Sequence, residues 1–318
     1  MKVAVVGCRG YGRVHLSVYS SLKVPVYVFS RDETAARECA KEYGALGYFT
    51  SFEEVLRSDA DVVDLIVDHQ SHLPMGLKAL DAGKNLLLIK PIARTVEEGE
   101  RLIRRAKERE VKFMVMENFY FDPSVWKAKE LASRLGRLSL IVVRSNHLYK
   151  PGGWRAVKEK MGGGALIDGG VHFIDTLLNI GGEYERVVSM CANYFSEIEG
   201  EDTSVSIFKF RSGATGLLIY SWSVQPLERY PMFEIYGEKG SVIEDHNTRT
   251  QGKPYGGIVA KVNGKEERIK VDNVNSVEVG IRGFLDAVER GGEVPMPPEL
   301  ALRDLRAVID SYKSCGEA

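Results

Sequence analysis

Short apolar runs alternate with amphipathic stretches over the first 120 residues of the chain. The runs have the length of buried strands, and the longer stretches repeat their apolar residues at helical spacing. Strands that alternate with helices of this length predict βαβ units and a parallel sheet covered on both faces. The predicted strands span residues 3–6, 24–29, 62–67, 86–89 and 113–116, and predicted helices begin at residue 11 and span 34–43, 73–82 and 96–108.

The pattern changes after Asp122-Pro123, where several strands follow one another with glycines between them. Consecutive strands with tight turns predict a mostly antiparallel sheet, with helices on one face and the other face open to a second subunit. We predict a doubly wound dinucleotide-binding domain over residues 1–120 and an α+β domain for substrate and oligomer contacts over 121–318. The predicted strands span 138–146, 187–195, 203–210, 215–224, 232–236 and 241–244, and the predicted helices span 124–135, 165–178, 277–290 and 299–314. The last two helices are candidates to pack back on the first domain.

Charge and composition narrow the possible partners. The 318 residues carry 43 Lys and Arg against 44 Asp and Glu, which gives no reason to expect nucleic acid or an anionic membrane. No apolar run approaches the length of a membrane span. Four cysteines lie far apart, without the spacing of a metal site or a disulfide framework, which favours reduced thiols and a cytoplasmic location.

Three glycines follow the first predicted strand, and a helical pattern begins at Tyr11. A strand that ends in glycines and opens a helix is typical of a pyrophosphate site, because bare N–H groups and the helix dipole attract the anion. The spacing is G-x-x-G-x-G, with Arg9 where a second glycine is usual. Either Gly10 takes over that role or Arg9 reaches a phosphate. The alternative is a tight turn without a ligand. The turn's candidate cofactor residues are Gly7, Arg9, Gly10, Tyr11 and Gly12.

The second strand ends at Phe29, before Ser30-Arg31-Asp32. An acidic residue at this tip binds the ribose hydroxyls of NAD, whereas a small polar residue followed by arginine suits the 2′-phosphate of NADP. Ser30 and Arg31 therefore favour NADP, with NAD still possible. Two alternatives stay open, in which Asp32 is the ribose ligand or the segment is only a helix N-cap.

Lys90-Pro91 follows directly after the apolar run 86–89. A lysine in this place lies at the carboxyl edge of the sheet, where open α/β folds bind ligands. Pro91 restricts the backbone of the preceding residue. A partly desolvated ammonium there can polarise a substrate oxygen or relay its proton. The alternative is a solvated lysine at the end of a strand.

The segment 162–175 begins with three glycines and continues as a helical pattern. Asp168 and His172 are four residues apart and share one helix face, flanked by small residues. A carboxylate beside an imidazole orients it and raises its basicity, so the pair can take a proton from an alcohol. The alternative is a buried histidine held by a local carboxylate. A metal site is not predicted, because no second histidine or cysteine stands nearby.

These features together resemble the glucose–fructose oxidoreductase, inositol 2-dehydrogenase and MocA superfamily. The resemblance runs from the glycine turn through Gly83-Lys84 and Lys90-Pro91 to 162–175, then to Glu201-Asp202-Thr203 and Ser221-Trp222. In that family a lysine–proline pair and an Asp-x-x-x-His helix form the catalytic set. The resemblance therefore implies that the catalytic residues here are Lys90, Asp168 and His172.

The resemblance also implies residues for the two ligands. His72 matches a family histidine in the helix after the fourth strand, and the implied cofactor contacts in this region are Val67, His69, His72, Lys90 and Pro91. The implied substrate contacts are Tyr120, Trp154, Arg155, Asp168 and His172.

Three departures from the family pattern bear on the substrate more than on the fold. Ile89 replaces the usual Glu or Cys before the lysine, Val67-Asp68-His69 replaces Thr-Pro-Asn, and Phe119-Tyr120 replaces an aromatic–arginine pair.

The predicted function is an NAD(P)-dependent dehydrogenase of sugars, polyols or their derivatives. His172 and Lys90 would bond the substrate hydroxyl and one would take its proton, while Asp168 holds His172. Three alternatives are a cofactor-binding sensor without turnover, a lyase or glycosidase-like enzyme that oxidises its substrate transiently, and an enzyme that shuttles hydride between two sugars on a bound cofactor. The predicted assembly is a homo-oligomer, either a dimer or a tetramer, with no nucleic acid or membrane partner.

Overall fold

A computed structural model describes residues 1–225 and 229–316 of the chain. The chain divides into two compact units. The first consists of residues 1–117 and 277–302, and the second of residues 118–276 together with the chain from 303 onward. The domain limits drawn from the sequence, 1–120 and 121–318, stay a prediction.

The first unit holds a six-stranded parallel sheet in the order β3-β2-β1-β4-β5-β6. Three of its strands, at residues 3–6, 62–65 and 113–116, are buried throughout, which is why their sequences are almost entirely apolar. This confirms the predicted doubly wound fold. The strands are β1 (Val3–Val6), β2 (Val26–Phe29), β3 (Gly47–Phe49), β4 (Val62–Leu65), β5 (Asn85–Ile89) and β6 (Phe113–Met116).

Polar side chains begin several helices of this unit. The side chains of Asp32, Asp68 and Thr95 each accept a backbone N–H of the helix that they precede. Ser51 and Glu54 form a capping box at a short helix that the sequence did not predict. The helices are α1 (Tyr11–Ser21), α2 (Glu33–Tyr43), α3 (Phe52–Arg57), α4 (His69–Asp81), α5 (Val96–Glu108) and α9 (Ser276–Arg290), and α10 (Pro298–Cys315) begins here.

The second unit holds an eight-stranded sheet in the order β14-β13-β12-β11-β7-β10-β9-β8. All of its pairs are antiparallel except β7 with β10, which confirms the predicted mostly antiparallel sheet. Two of the strands, β13 and β14, were not predicted. The strands are β7 (Leu138–Asn146), β8 (Tyr184–Ala192), β9 (Thr203–Phe210), β10 (Thr215–Ser221), β11 (Phe233–Gly237), β12 (Gly240–Asp245), β13 (Gly257–Val262) and β14 (Lys265–Ile269).

Helices cover one face of this sheet. Helix α6 (Pro123–Ala132) packs on β11, β12 and β13, and helix α8 (Val171–Gly181) packs on β7 and β10. A shorter helix, α7 (Lys158–Met161), precedes the glycine loop. Side chains alternate along β9, with Phe208 buried while Val205 and Ile207 point outward and are exposed. The outward face is therefore apolar as well as open.

A disulfide joins Cys191 on β8 to Cys315 at the end of α10. The expectation that all four cysteines are reduced is therefore wrong. The two residues are 124 positions apart, so spacing could not reveal the pair, and only the folded chain brings their Cα atoms to 5.8 Å. Cys8 and Cys39 are free and buried.

Within the described part of the chain, no helix combines the length and the apolar composition that a membrane span requires.

Candidate functional site

The glycine turn after β1 is built by close backbone contacts. Gly7 has φ of 104°, and a Cβ there would lie 2.0 Å from the carbonyl oxygen of Ile66. A Cβ at Gly12 would lie 1.8 Å from the carbonyl oxygen of Gly7. Only glycine fits at these two positions, so the turn places the first residues of α1 against β1 and the end of β4.

Gly10 differs from these two glycines because it faces open space. Its φ is 53°, and a Cβ there would meet no atom within 4 Å. Gly10 is also the N-cap of α1, which has no side-chain cap and no acidic residue in its first turn. The N-terminus of α1 is thus bare on its open side, and this cradle fits the pyrophosphate of a dinucleotide.

Two arginines and a serine surround the tip of β2. Ser30 follows the strand, and Arg31 is exposed. Asp32 caps α2 by accepting the N–H of Ala35 at 3.2 Å, and its other carboxylate oxygen forms an ion pair with Arg9. The Ala35 bond is the largest cause that lowers the pKa of Asp32. The Asp32 carboxylate therefore already binds two groups of the chain, as the N-cap alternative requires.

His72 is buried beside the segments that follow β4 and β5. Its Nδ1 lies 2.9 Å from the carbonyl oxygen of Pro91 and its Nε2 lies 3.3 Å from that of Val67. Burial and then the neighbouring His69 lower the pKa of His72 to about 3, so the ring is neutral at pH 7. A neutral ring has one N–H, and the shorter distance assigns it to Nδ1, which donates to Pro91. His72 thereby ties the segment after β4 to the segment after β5.

Lys90 and Glu117 end neighbouring strands of the sheet. Ile89 on β5 is in register with Met116 on β6, so the next residue on each strand is Lys90 and Glu117, respectively. Glu117 is 2% exposed. This buried carboxyl was not among the predicted site residues, although a charged residue directly after the apolar run 113–116 was a usable signal.

The predicted catalytic pair in the second unit begins with a π-helical turn, Leu166–Gly170, which continues into α8. Such turns are frequent at functional sites. Asp168 in this turn is 5% exposed and accepts a bond of 2.7 Å from Nε of Arg155. The Arg155 guanidinium lies 4.3 Å from the ring centre of Trp154. The structure therefore brings Asp168, Arg155 and Trp154 together.

His172 stacks on an aromatic ring from outside its helix. Its ring centre lies 4.4 Å from that of Phe119, with 17° between the planes. Phe119 also meets Phe173 and Tyr255 edge to face. Phe119 was not predicted as a support for His172, because the two residues are far apart in the chain.

Tyr120, the remaining candidate for substrate, is half-buried and lies edge to face with Trp126. Burial raises the pKa of its hydroxyl. Its carbonyl oxygen accepts a bond of 2.6 Å from the Trp126 indole N–H. Tyr120 is thus held at the start of α6, one residue after Phe119.

A tyrosine near the C-terminus holds the start of the Asp168 segment. The Tyr312 hydroxyl donates to Glu201 at 2.9 Å and accepts the backbone N–H groups of Gly164 and Ile167, each at 3.1 Å. Tyr312 is 2% exposed, and burial raises its pKa. Two backbone hydrogen bonds, from Gly164 and Ile167, therefore anchor this segment to one side chain, which Glu201 holds in turn.

The candidate cofactor residues share one edge of the parallel sheet, since they follow β1, β2, β4 and β5, which are neighbours in the order β2-β1-β4-β5. The candidate substrate residues lie in the second unit. The roles predicted for both sets stay predictions. Across residues 1–225 and 229–316, no group of three or more His, Cys, Asp or Glu side chains could hold a metal ion.

Two family models match the chain. Residues 1–117 match the oxidoreductase family with an NAD-binding Rossmann fold, and residues 125–243 match the GFO/IDH/MocA C-terminal domain. The first match includes all six strands of the parallel sheet, and the second includes β7 to β11 and most of β12.

Curated relatives and solved structures point the same way. The chain is 23% identical over 292 residues to levoglucosan dehydrogenase of Pseudarthrobacter phenanthrenivorans, with 79% of this chain and 75% of that protein covered. It is 26% identical to the NADP⁺-dependent scyllo-inositol 2-dehydrogenase of Bacillus subtilis, with 100% and 94% covered. The crystal structure of an oxidoreductase of Thermotoga maritima is 30% identical and superposes with a TM-score of 0.88, covering 100% and 97%.

Proposed function

Because the chain belongs to the GFO/IDH/MocA oxidoreductase family, we propose that it moves a hydride between a nicotinamide dinucleotide and a hydroxyl-bearing carbon of a sugar or polyol. The observation that carries the proposal is the carboxyl edge of the parallel sheet. There the open cradle at Gly10, the arginine-flanked tip of β2 and Lys90 follow β1, β2 and β5 of one sheet. Levoglucosan and scyllo-inositol, which name two relatives, are both polyhydroxylated rings.

We propose NADP as the preferred cofactor. Arg31 is exposed at the tip of β2 beside Ser30, and Arg9 reaches the same tip through its pair with Asp32. Two guanidinium groups suit the dianionic 2′-phosphate. The Asp32 carboxylate, which NAD would need for its ribose, is taken up by the helix cap and by Arg9.

The remaining cofactor contacts are proposed along the same carboxyl edge of the parallel sheet. Gly7, Gly10, Tyr11 and Gly12 would hold the pyrophosphate, and residues after β4 and β5 would line the rest of the cofactor site. When bound, the nicotinamide ring supplies the hydride acceptor or donor. The residues after β4 and β5 are Val67, His69, Lys90 and Pro91, with His72 buried beneath them.

The chain's own residues handle the proton. We assign Lys90 and His172 to the substrate hydroxyl, which one of them deprotonates during oxidation while the other bonds its oxygen. Asp168 would orient His172, and Arg155 orients Asp168 through their bond of 2.7 Å. Phe119 restricts the His172 ring by stacking on it at 4.4 Å. Tyr120, Trp154 and Arg155 would contact the rest of the sugar.

Glu117 has a positioning role in this proposal. The usual acid before the lysine is replaced by Ile89, and Glu117 ends the strand beside it. A buried carboxylate at that place favours a charged partner. Glu117 would therefore orient Lys90 without contacting the substrate.

We propose a homo-oligomer, a dimer or a tetramer, formed through the open face of the second sheet. The exposed apolar side chains Val188, Met190, Val205 and Ile207 lie on adjacent strands β8 and β9. A contiguous apolar patch of this kind marks a protein interface. Light scattering should give the mass of a dimer or tetramer, and Met190→Lys with Ile207→Lys should shift it to a monomer.

A cytoplasmic location also belongs to the proposal, because the cytoplasm supplies nicotinamide dinucleotides. A reducing compartment would open the Cys191–Cys315 disulfide unless that bond is unusually stable. Thiol trapping of the chain in intact cells would test location and redox state together.

The deciding experiment adds NADP⁺ or NAD⁺ to the pure protein with a panel of sugars, polyols and sugar acids and follows the absorbance of reduced cofactor. Turnover that needs a sugar or polyol supports the proposal. Cofactor binding without turnover on any member would instead support a sensor. Product formation without net reduced cofactor would support transient oxidation or a hydride shuttle.

A further inference from the structure

A cavity of about 560 Å³ lies in the second unit, between the start of α6 and the loop that joins β12 to β13. Its floor is buried and includes Asp122, Tyr255 and the backbone of Gly256. None of its lining residues is a predicted catalytic, cofactor or substrate residue, although Tyr255 contacts Phe119. The volume lies in the range of small-molecule sites.

The charges around this cavity are balanced. Asp245 forms an ion pair of 3.1 Å with Arg268, so these two charges compensate each other. A strongly charged ligand would therefore find as many like charges as opposite ones among the lining side chains. The cavity favours a neutral ligand.

The lining also includes both hydrogen-bond donors and acceptors. Lys253 and Lys270 supply ammonium donors, whereas Asp122 and Asp272 supply carboxylate acceptors, and the exposed Thr250 can do both. Neighbouring hydroxyls of a polyhydroxylated ring each need one donor and one acceptor. The apolar wall, which suits the C–H faces of such a ring, is formed by Tyr255, Ile269 and Val271.

Asp122 is the deepest of these groups, with only 3% of its surface exposed. One of its oxygens accepts the backbone N–H of Ser124 at 2.9 Å. Burial raises the pKa of Asp122, because the charged carboxylate is less well solvated there. A carboxylate oxygen is a strong acceptor, so a ligand hydroxyl in the cavity can donate to Asp122.

We propose that this cavity binds a second molecule of a neutral sugar or polyol. The occupant would lie on Tyr255, with its hydroxyls bonded to Asp122, Asp272 and the two lysines.

A ligand bound in this cavity should affect the position of His172. The ring of Tyr255 meets Phe119 edge to face at 5.7 Å, and Phe119 stacks on His172. The Tyr255 hydroxyl also lies 2.6 Å from Thr176, which donates to the His172 carbonyl oxygen. Two short paths therefore join the floor of the cavity to one histidine. This part of the inference rests on the proposed catalytic role of His172, whereas binding in the cavity does not.

Hydrogen–deuterium exchange tests the binding without any turnover. The probes are myo-inositol and D-glucose, each titrated to about 50 mM, because weak sugar sites have millimolar dissociation constants. We expect slower exchange in residues 245–257 of the native chain. Thr250→Trp fills the cavity from its exposed rim and should weaken this protection about tenfold or more. Asn247→Trp, on the same loop but not lining the cavity, is the matched control and should keep it.

Three results would overturn the site. They are no protection of the native chain by either probe, equal protection by inorganic phosphate, which would indicate an anion site, and protection that survives Thr250→Trp.

The link to His172 is tested on whichever sugar is turned over. For the native chain and for Asn247→Trp, the plot of initial rate against sugar concentration should depart from a hyperbola. For Thr250→Trp the plot should be hyperbolic again. Hyperbolic rates in the native chain would refute the link. If the chain turns over no sugar at all, the proposed function is refuted. The exchange experiment still shows whether the cavity binds a sugar.

Discussion

Opening the Cys191–Cys315 disulfide should cost the second unit much of its stability. The bond closes a loop with a sequence separation of 124 residues. The chain-entropy relation for a loop of this length gives about 5 kcal/mol at 25 °C, and removal of native disulfides typically costs about 2–5 kcal/mol. We therefore expect Cys315→Ser to lower the free energy of unfolding by about 2–5 kcal/mol.

Most of this loss should arise in the denatured chain. Around the bond, Ser189 donates its backbone N–H to Ser314 at 3.0 Å, and Tyr184 donates to Asp310 at 2.8 Å. These bonds keep the end of α10 beside β8 when the sulfurs separate. The folded state therefore changes little, while the denatured chain expands, so the dependence of the free energy on urea should become steeper.

Urea unfolding followed by circular dichroism, with and without reductant, measures both effects. Reductant should lower the midpoint of the native chain to that of Cys315→Ser and should leave the variant unchanged. Before reduction, the denatured native chain should show two reactive thiols, from Cys8 and Cys39. Four reactive thiols, or a midpoint that does not respond to reductant, would refute the reasoning.

Three further predictions concern the candidate site. Lys90→Ala and His172→Ala should each lower kcat about 10²- to 10⁴-fold while the Kd for the cofactor changes little, and unchanged turnover in both would defeat their assignment. Arg31→Ala should raise the KM for NADP about 10- to 100-fold and leave that for NAD unaltered, because it removes charge-assisted bonds to the 2′-phosphate, and an equal effect on both cofactors would contradict this role. His72 has its pKa lowered to about 3 by burial, so below pH 6.5 the unfolded chain binds the extra proton and stability falls as pH falls, by about 1.4 kcal/mol per unit. The stability of His72→Gln should therefore decline less than that of the native chain between pH 6.5 and 5, and parallel urea series at both pH values would show whether it does.

Local chemistry explains which elements the sequence made predictable. The runs before Gly7 and Lys90 are buried on both faces, so apolar length alone identifies β1 and β5. The strands that escaped prediction lack that signal. Strand β3 has only three residues, and β14 is an exposed edge strand with the sequence KEERI, which shows no apolar alternation.

The candidate site likewise has a part that the sequence made predictable and a part that it did not. The glycine turn and the serine–arginine tip of β2 are each contained within a few consecutive residues, so their chemistry could be proposed from spacing. The partners of the reactive side chains could not. Phe119 stacks on His172 from 53 residues away in number, and Tyr312 anchors Gly164 from a separation of 148.

The sequence by itself determined most of the strands and helices and the residue types at the strand tips, because these depend on neighbours a few positions apart. Only the tertiary structure decided that Asp32 is taken up by Arg9 and a helix cap, that Glu117 ends the strand beside Lys90, and that two distant cysteines are bonded. Such pairings depend on how sheets and helices bring remote segments together. No pattern along a single sequence shows which remote segments come into contact.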